Sequence, residues 1–242
     1  MDIIRKIQLS QKYLKEILSD EFDTTSILEL SINELNELYR IVDPDNIYSI
    51  LSNCPACCFS LKHKTIKNYN LHVVYYNFPR IGDTKSVKIQ KKSFIVRIEN
   101  TYETNIPYQT DSILVIINDS ISESITQINN SCNILLHENE IDLSHLDTTL
   151  EPKHFRNVYI FDIKSLMFNM LTHKFVPHHE VIRESKEIEK ILMDNNCTRE
   201  QLPIILRSDP IAKLKLGVPG DIFKITRTGK TSGEYIYYRI CK

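Results

Sequence analysis

Apolar residues recur with helical spacing in the first part of the chain. Over residues 3–18 they follow steps of four, seven and three and end in an adjacent pair, with charged side chains between them, which predicts an amphipathic helix. These apolar positions are Ile3, Ile7, Leu14, Ile17 and Leu18. A second helix is predicted over residues 31–41, because Ser31 and Glu34 have the spacing of a capping box.

Beyond the second helix, short apolar runs are typical of β-strands. The predicted strands are residues 71–78, 94–98, 113–117 and 158–163. Helices are predicted over residues 120–128 and, after the extended segment Phe175-Val176-Pro177, over residues 180–193. The pattern predicts a mixed α/β (α+β) protein with two domains, residues 1–165 and residues 166–242.

Turn signals are concentrated near the end of the chain, where four of the five glycines lie between Gly217 and Gly233. Ser208-Asp209-Pro210 predicts a helix start, because an oxygen-bearing cap and a proline suit a first turn whose N–H groups lack partners. Gly217 is predicted to end this helix in the left-handed conformation. Val218-Pro219-Gly220-Asp221 predicts a type II turn, in which glycine supplies the positive φ.

A β-hairpin is predicted after this turn. Residues 222–227 and residues 235–240 are rich in β-branched and aromatic side chains, and the polar segment 228–234 separates them. The smaller domain is therefore expected to be an α+β unit that ends in a hairpin.

The composition is ordinary for a globular protein, with 42% hydrophobic and 25% charged residues among 242. No apolar run approaches the roughly 20 residues needed to cross a bilayer, and the start of the chain lacks a signal-peptide core, so no membrane partner is predicted. We expect an intracellular protein with reduced thiols. The two alanines against 35 isoleucines indicate an AT-rich coding sequence, which fits a large DNA virus or an AT-rich protist.

Charge is unevenly distributed. Residues 1–165 carry 17 basic and 22 acidic side chains, whereas residues 166–242 carry 13 and 9. Between residues 62 and 97, nine basic side chains are offset only by Asp83. This positive strip could contact phosphates, or it could be a solvated face that balances an acidic neighbour. Its basic residues are Lys62, Lys64, Lys67, Arg80, Lys85, Lys88, Lys91, Lys92 and Arg97.

Three motifs with possible chemistry are weak. Gly229-Lys230-Thr231 lacks the earlier glycine of a phosphate-binding loop and lies in the predicted hairpin. In His179-Glu180-Val181-Ile182-Arg183, an arginine occupies the position where a zinc protease needs its second histidine. Cys54-Pro55-Ala56-Cys57-Cys58 has the spacing of half a zinc site, with His63 or His72 as possible further ligands, but no second cysteine pair follows. No metal, cofactor or small-molecule substrate is predicted.

A metal-dependent nuclease is the main enzymatic alternative. Asp162 and Lys164 end a predicted apolar strand, where a carboxylate could bind a divalent ion and an ammonium could lie beside a phosphate. Such a site needs a second carboxylate. Candidates by proximity in the sequence are Asp111, Asp119, Glu138 and Asp142. The alternative is that Asp162 and Lys164 are exposed at a domain junction.

Several motifs in the last seventy residues resemble one family. They are His173-Lys174-Phe175-Val176-Pro177-His178-His179, Leu202-Pro203, Asp209-Pro210-Ile211-Ala212, Gly220-Asp221-Ile222-Phe223-Lys224-Ile225 and Thr231-Ser232-Gly233, with Tyr235, Tyr238, Arg239 and Ile240 after them. This ordered series resembles the C-terminal domain of subunit 5 of eukaryotic RNA polymerases and the archaeal counterpart of that subunit. The sequence departs from the family at Ile204 and Glu234, where basic residues are common.

The resemblance implies a non-catalytic subunit of a multisubunit DNA-directed RNA polymerase. Its C-terminal domain would dock on the largest subunit, and its N-terminal domain would form a jaw beside downstream duplex DNA. The segment around Val87, Lys88, Lys91 and Phe94 loosely resembles that jaw. The possible DNA-facing residues are Lys85, Lys88, Lys91 and Lys92.

The resemblance also selects residues for the family's turns and partner-binding surface. They are His173, Pro177, Leu202, Pro203, Asp209, Pro210, Gly220, Thr231, Ser232, Gly233, Tyr238 and Arg239. Of these, Thr231, Ser232 and Arg239 are the polar residues that favour a partner contact, whereas the prolines and glycines suit backbone geometry. A free-standing nucleic-acid-binding module that uses the positive strip is the remaining alternative, and it predicts strongly salt-dependent DNA binding by the isolated chain.

Overall fold

The chain divides into two units. Unit 1 comprises Met1–Asp147 and Phe155–Phe168, and unit 2 comprises Thr148–His154 and Asn169–Lys242. We call Thr148–His154 the strap, because it lies upstream of unit 1's last strand and yet belongs to unit 2. The computed structural model describes residues 2–41, 43–80, 83, 86, 88–104, 106, 109–138, 140–229 and 233–242.

Unit 1 is built around a five-stranded sheet. Its helices are α1 (Ile3–Ile17), α2 (Ile32–Arg40), α3 (Lys91–Thr104) and α4 (Glu123–Leu136). Its strands are β1 (Phe22–Asp23), β2 (Phe59–His63), β3 (Asn70–Tyr75), β4 (Ser112–Ile117) and β5 (Val158–Asp162). The strand order is β1-β2-β3-β4-β5, and the pairs β3–β4 and β4–β5 are parallel. Helices α3 and α4 are the crossovers that parallel pairing requires.

Both faces of this sheet are covered, so its central strands are apolar without alternation. All of β4 is buried. On one face, Val115 and Ile160 pack with Phe94 of α3 and Ile128 of α4 in a single core cluster. On α1, Ser10 Oγ lies 2.8 Å from the hydroxyl of Tyr75 on β3. The predicted capping box is confirmed at the start of α2, where Ser31 and Glu34 bond each other's backbone N–H groups.

The predicted strand over residues 94–98 is wrong, because this segment lies inside α3. Its buried residues are Phe94, Ile95, Ile98, Thr101 and Tyr102, and these steps of three and four residues place them on one side of a helix. The apolar run is too short for its period to be recognised without the positions that follow it. The helix predicted over residues 120–128 begins later and continues to Leu136.

Unit 2 is a four-stranded sheet with helices packed on it. Its strands are β6 (His178–Ile182), β7 (Ile204–Ile205), β8 (Ile222–Gly229) and β9 (Gly233–Cys241). Its helices are α5 (Ser185–Asp194) and α6 (Pro210–Leu214). The order is β6-β8-β9-β7, with β8 and β9 as the predicted hairpin. Ile188 and Ile191 of α5 pack on one face, and Ala212 of α6 packs on the other.

Two expectations for unit 2 are corrected. Residues 180–182 belong to strand β6, so the helix predicted over residues 180–193 begins only at Ser185. At the end of α6, Leu216 and not Gly217 adopts the positive φ, at 51°. Gly217 is required for space, since a Cβ there would lie 2.7 Å from the ring of Phe223.

None of the helices in the described part of the chain combines the length and the apolar composition that crossing a membrane requires.

Candidate partner-binding domain

The hairpin of unit 2 begins at a turn built around Gly220 and Asp221. Gly220 has a φ of 95°, and the N–H of Asp221 donates to the carbonyl of Val218 over 3.1 Å, which confirms the predicted type II turn. A Cβ at Gly220 would lie 2.8 Å from Lys153 Nζ in the strap. Glycine is therefore needed here for its backbone conformation, whereas the end of the flexible Lys153 side chain could move aside.

Asp221 is fully buried, and its carboxylate has several polar partners. Oδ1 lies 2.8 Å from His154 Nε2 of the strap, and Oδ2 accepts the N–H of Val218 over 2.9 Å. Arg183 Nε is 3.8 Å from Oδ2. A buried charge is stable only when it is paired and hydrogen-bonded, so these contacts tie the strap, β6 and the hairpin turn together.

The strap has further contacts within unit 2. Glu151 accepts a hydrogen bond from Ser185 Oγ over 2.8 Å and forms an ion pair of the same length with Lys153. The hydrogen bond from Lys153 and then that from Ser185 lower the pKa of Glu151. His154 Nδ1 lies 3.1 Å from the carbonyl of Glu151. The sequence reasoning missed His154 and Arg183 because no local pattern links them to an aspartate that folds against them.

The family-motif residues on the approach to the sheet have local structural contacts. His173 is exposed, and its Nδ1 accepts the N–H of Phe175 over 3.3 Å. The carbonyl of Pro177 lies 2.7 Å from His179 Nδ1, and burial lowers the pKa of that histidine. Asp209 caps α6 by accepting the N–H of Ile211 over 2.8 Å, with Pro210 in the first turn, as predicted. Each of these contacts supports the local backbone geometry of unit 2.

The remaining motif residues lie on or beside β9. Leu202 is buried against α5 and the sheet, and the carbonyl of Pro203 accepts the N–H of Ile240 over 2.9 Å. Tyr238 packs partly against the same core. Gly233 has a φ of 68° and begins β9. Thr231, Ser232 and the possible DNA-facing Lys85 lie outside the described residues.

Arg239 is half-buried, and its own domain already engages it. Its Nη1 donates to the carbonyl of Ile204 over 3.2 Å, and its guanidinium lies 5.7 Å from the ring centroid of Tyr237. On the other strand, Arg227 lies 4.6 Å from the same centroid, and the rings of Tyr235 and Tyr237 are stacked at 6.4 Å. Two arginines and two tyrosines therefore form one surface of the hairpin, which we call the Arg–Tyr surface.

The positive strip of unit 1 is divided by the fold. The exposed residues Lys88, Lys91 and Lys92 precede or begin α3, which follows the carboxyl end of β3. Lys62 pairs with Asn70 at the amino end of β3. The two groups of lysines therefore lie at opposite ends of that strand, and the strip predicted from the sequence is not one continuous patch.

The enzymatic alternatives receive no support from the geometry. Asp162 accepts the N–H of Lys164 over 2.8 Å and so caps the 3₁₀ segment Ile163–Leu166. Asp111, a proposed second carboxylate, is buried and lies 3.0 Å from His72 Nε2. Within the described ranges there is no group of three His, Cys, Asp or Glu side chains that could hold a metal ion.

Two thiols of the cysteine motif are disfavoured as thiolates by their surroundings. A hydrogen bond with Cys57 and burial raise the pKa of Cys54, and burial raises the pKa of Cys58. A raised pKa disfavours the thiolate, which is the form that binds metals and attacks disulfides.

Comparison with known proteins identifies the family. Residues 168–241 match the family model described as RNA polymerase Rpb5, C-terminal domain. Among curated proteins, the chain is 44% identical over 73 residues to DNA-directed RNA polymerase subunit Rpo5 of Methanococcoides burtonii, which is 30% of this chain and 91% of the relative. The Rpo5 proteins of Sulfurisphaera tokodaii and Archaeoglobus fulgidus are 52% and 44% identical over 67 and 75 residues. These alignments cover 28% and 31% of this chain, and 79% and 97% of the two relatives. The chain therefore belongs to the Rpb5/Rpo5 family and is a non-catalytic subunit of a DNA-directed RNA polymerase.

Proposed function

We propose that unit 2 docks this chain on the largest polymerase subunit and that unit 1 projects as a jaw beside downstream duplex DNA. The observation that carries the first part is the extent of the family match, which spans residues 168–241 and so nearly all of unit 2. About 30% of this chain covers 91% of a relative that is itself named as a polymerase subunit. Unit 2 is the part that this chain shares with such a short subunit, so we expect unit 2 to mediate assembly.

Cross-linking of the assembled polymerase tests the docking arrangement. Unit 2 carries exposed lysines at Lys174, Lys186 and Lys190, and unit 1 carries them at Lys62 and Lys67. With a lysine-reactive reagent, we expect links to the largest subunit mainly from the unit 2 lysines. Links to that subunit from unit 1 alone would contradict docking through unit 2.

Lys88, Lys91 and Lys92 support a DNA contact for unit 1. They are exposed, and α3 has no acidic residue in its first turn to neutralise them. The N-terminal end of a helix has a partial positive charge, which adds to the attraction for phosphate. The contact is expected to be non-specific and to weaken with salt.

A pair of charge-matched variants tests this contact. Lys91→Glu/Lys92→Glu reverses two charges at α3, and Lys62→Glu/Lys67→Glu reverses the same number at the other end of β3. In the assembled polymerase, we expect only the first variant to reduce photo-cross-linking of unit 1 to downstream duplex DNA, by about tenfold or more in low salt. Equal losses in both variants would show that the α3 lysines have no special role.

The origin of the gene bears on where this polymerase acts. The AT-rich composition supports either a large DNA virus or a protist. If the gene is viral, we expect the chain in purified virions and in the host cytoplasm, together with the other polymerase subunits, and otherwise in the nucleus. Quantitative proteomics of purified virions and of nuclei distinguishes a viral origin of the gene from a cellular one.

A further inference from the structure

Strand β9 has one side that is mostly open. In the sheet order β6-β8-β9-β7, β9 pairs with β8 along its whole length. On its other side, β7 pairs only with Ile240 and Cys241. From Gly233 to Arg239, no strand of the described chain lies beside that outer edge.

The register shows which backbone groups face this open edge. The N–H of Ile240 donates to Pro203 and that of Lys242 donates to Ile205, so these residues direct their polar groups away from β8. The N–H of Cys241 donates to Asp221, on the β8 side. Pairing with β8 is regular throughout, so successive residues of β9 direct their backbone groups alternately towards β8 and towards the open edge. The backbone groups of Ile236 and Tyr238 therefore point outwards.

The open edge has few of the features that normally protect sheet edges. Natural edges are blunted by charged side chains, above all lysine, and by proline, bulges or a covering element. Of these, β9 has only the charges of Glu234 and Arg239, and Arg239 is engaged by the carbonyl of Ile204. Here the exposed residues Tyr235 and Ile236 are strong strand formers, and β9 has no proline or lysine. By contrast, β5 at the edge of the unit 1 sheet is covered, because Asn133 of α4 bonds both the N–H and the carbonyl of Val158, over 2.8 and 2.9 Å.

The side chains beside the edge indicate the chemistry of a strand that would fit there. The Arg–Tyr surface places Arg227, Tyr235, Tyr237 and Arg239 on one face of the hairpin. The acidic residue of β9, Glu234, alternates to the opposite face. A neighbouring strand would satisfy the arginines with a carboxylate and would cover the tyrosines with apolar groups.

We propose that the outer edge of β9 accepts an extended strand from another polymerase subunit, with an acidic side chain on the Arg–Tyr face. The added strand lies next to Glu234, Ile236 and Tyr238 and extends the unit 2 sheet by one strand. Main-chain hydrogen bonds supply the attachment, and the carboxylate fixes the register. This inference rests on the proposed function, since it specifies how unit 2 is held in the assembled polymerase.

Residue-resolved hydrogen–deuterium exchange on the assembled polymerase and on the free full chain tests strand addition. In the free chain, we expect fast exchange at the amides of Ile236 and Tyr238 and slow exchange at Tyr235 and Tyr237, which bond to β8. In the polymerase, all four amides should be protected. If Ile236 and Tyr238 still exchange rapidly in a polymerase that contains this chain, strand addition is excluded while the proposed function stands.

Substitutions at the edge give an independent test. Ile236→Pro removes an outward N–H without removing a bond to β8, and Ile236→Val is the control that keeps the N–H. Arg227→Glu cancels the net positive charge of the Arg–Tyr surface, since one negative charge then faces Arg239, and Arg227→Lys keeps that charge. We expect Ile236→Pro and Arg227→Glu each to reduce retention on a polymerase purified through its largest subunit by about tenfold or more, with both controls retained.

The outcomes distinguish failure of strand addition from failure of the proposed function. Full retention of both Ile236→Pro and Arg227→Glu would overturn strand addition and leave the polymerase role intact. Absence of the wild-type chain from the purified polymerase would overturn the proposed function itself. If Ile236→Pro alters the circular dichroism of the free chain, the exchange pattern of the wild type decides the question.

Discussion

The stability of unit 2 depends most clearly on the contacts of Asp221. Its carboxylate is buried and paired with His154 of the strap. Loss of His154 would remove one hydrogen-bonding partner of this buried carboxylate and leave only the Val218 N–H and Arg183 beside it, which is destabilising because a buried polar atom loses its partner. The pair also explains why the strap belongs to unit 2 although the chain reaches it before β5.

The variant His154→Ala is expected to lower the free energy of unfolding of unit 2 by about 2 kcal/mol, the cost of leaving a buried polar atom without one of its partners. In the double variant His154→Ala/Asp221→Asn, the loss should be smaller than the sum of the losses in His154→Ala and Asp221→Asn, because each single change already removes the hydrogen bond between the two side chains. Urea denaturation, monitored by circular dichroism, measures the free energy of unfolding of the two single variants and the double variant. Strictly additive losses would contradict a direct interaction between the two side chains.

Lys213 of α6 provides a pH-dependent test. Burial, with a contribution from Arg207, lowers its pKa to about 8 from the usual 10.5. Below pH 8 the lysine is charged in both states, and the folded state bears the full cost of burying the charge. Between pH 8 and 10.5 only the unfolded chain remains protonated, so stability should rise with pH.

The difference in unfolding free energy between wild type and Lys213→Met should therefore move in favour of the wild type by up to about 3 kcal/mol from pH 8 to pH 10.5. Denaturant unfolding at several pH values measures this difference. Lys186→Met, at an exposed position on α5, is the control for the loss of one charge. A difference that stays constant over this range would show that Lys213 is not buried as described.

At the scale of elements, Asn133 is predicted to protect an edge of the unit 1 sheet. The variant Asn133→Leu leaves the N–H and carbonyl of Val158 without these partners and should cost about 2 kcal/mol. It should also promote self-association through β5, detectable by size-exclusion chromatography. Asn133→Asp keeps the acceptor for the Val158 N–H but sets a buried carboxylate oxygen against the carbonyls of Val158 and Asn129, so it should also destabilise the chain. A soluble, fully stable leucine variant would contradict the protective role.

The elements that could be predicted from the sequence are those whose signals are local. The capping box at Ser31, the cap at Asp209 and the turn at Gly220 each depend on residues within one turn, and all three are confirmed. The segment over residues 94–98 was misassigned because its apolar run fits a strand and a helix equally well. Strand β7 has only two residues, and it exists because β9 lies beside it.

The functional residues of unit 2 and the positive strip of unit 1 could be predicted only in part, because only local signals are visible in the sequence. Motif spacing identified the turns and caps of unit 2, but not the strap that pairs with Asp221, because His154 is 67 positions away in the sequence. The positive strip was predicted as one patch, since distances along the chain conceal the reversal between β2 and β3. Long-range pairing separates or joins residues in ways that composition and spacing do not encode.

At the scale of the whole molecule, the chain combines a family domain with a larger second unit. The family match begins at residue 168, so the strap and all of unit 1 except Phe168 lie before it. Unit 1 has its own core and sheet, and it carries the exposed lysines at the start of α3. We therefore expect the two units to make different contacts in the polymerase, with protein for unit 2 and with DNA for unit 1.

Native mass spectrometry of the polymerase purified through its largest subunit can show whether this chain is one of its subunits and which subunit holds it. We expect a complex that contains one copy of this 28.3 kDa chain. Gentle dissociation should yield a subcomplex of this chain with the largest subunit. A complete and active polymerase that lacks the chain, or that carries a different subunit in its place, would show that the chain does not dock on the largest subunit.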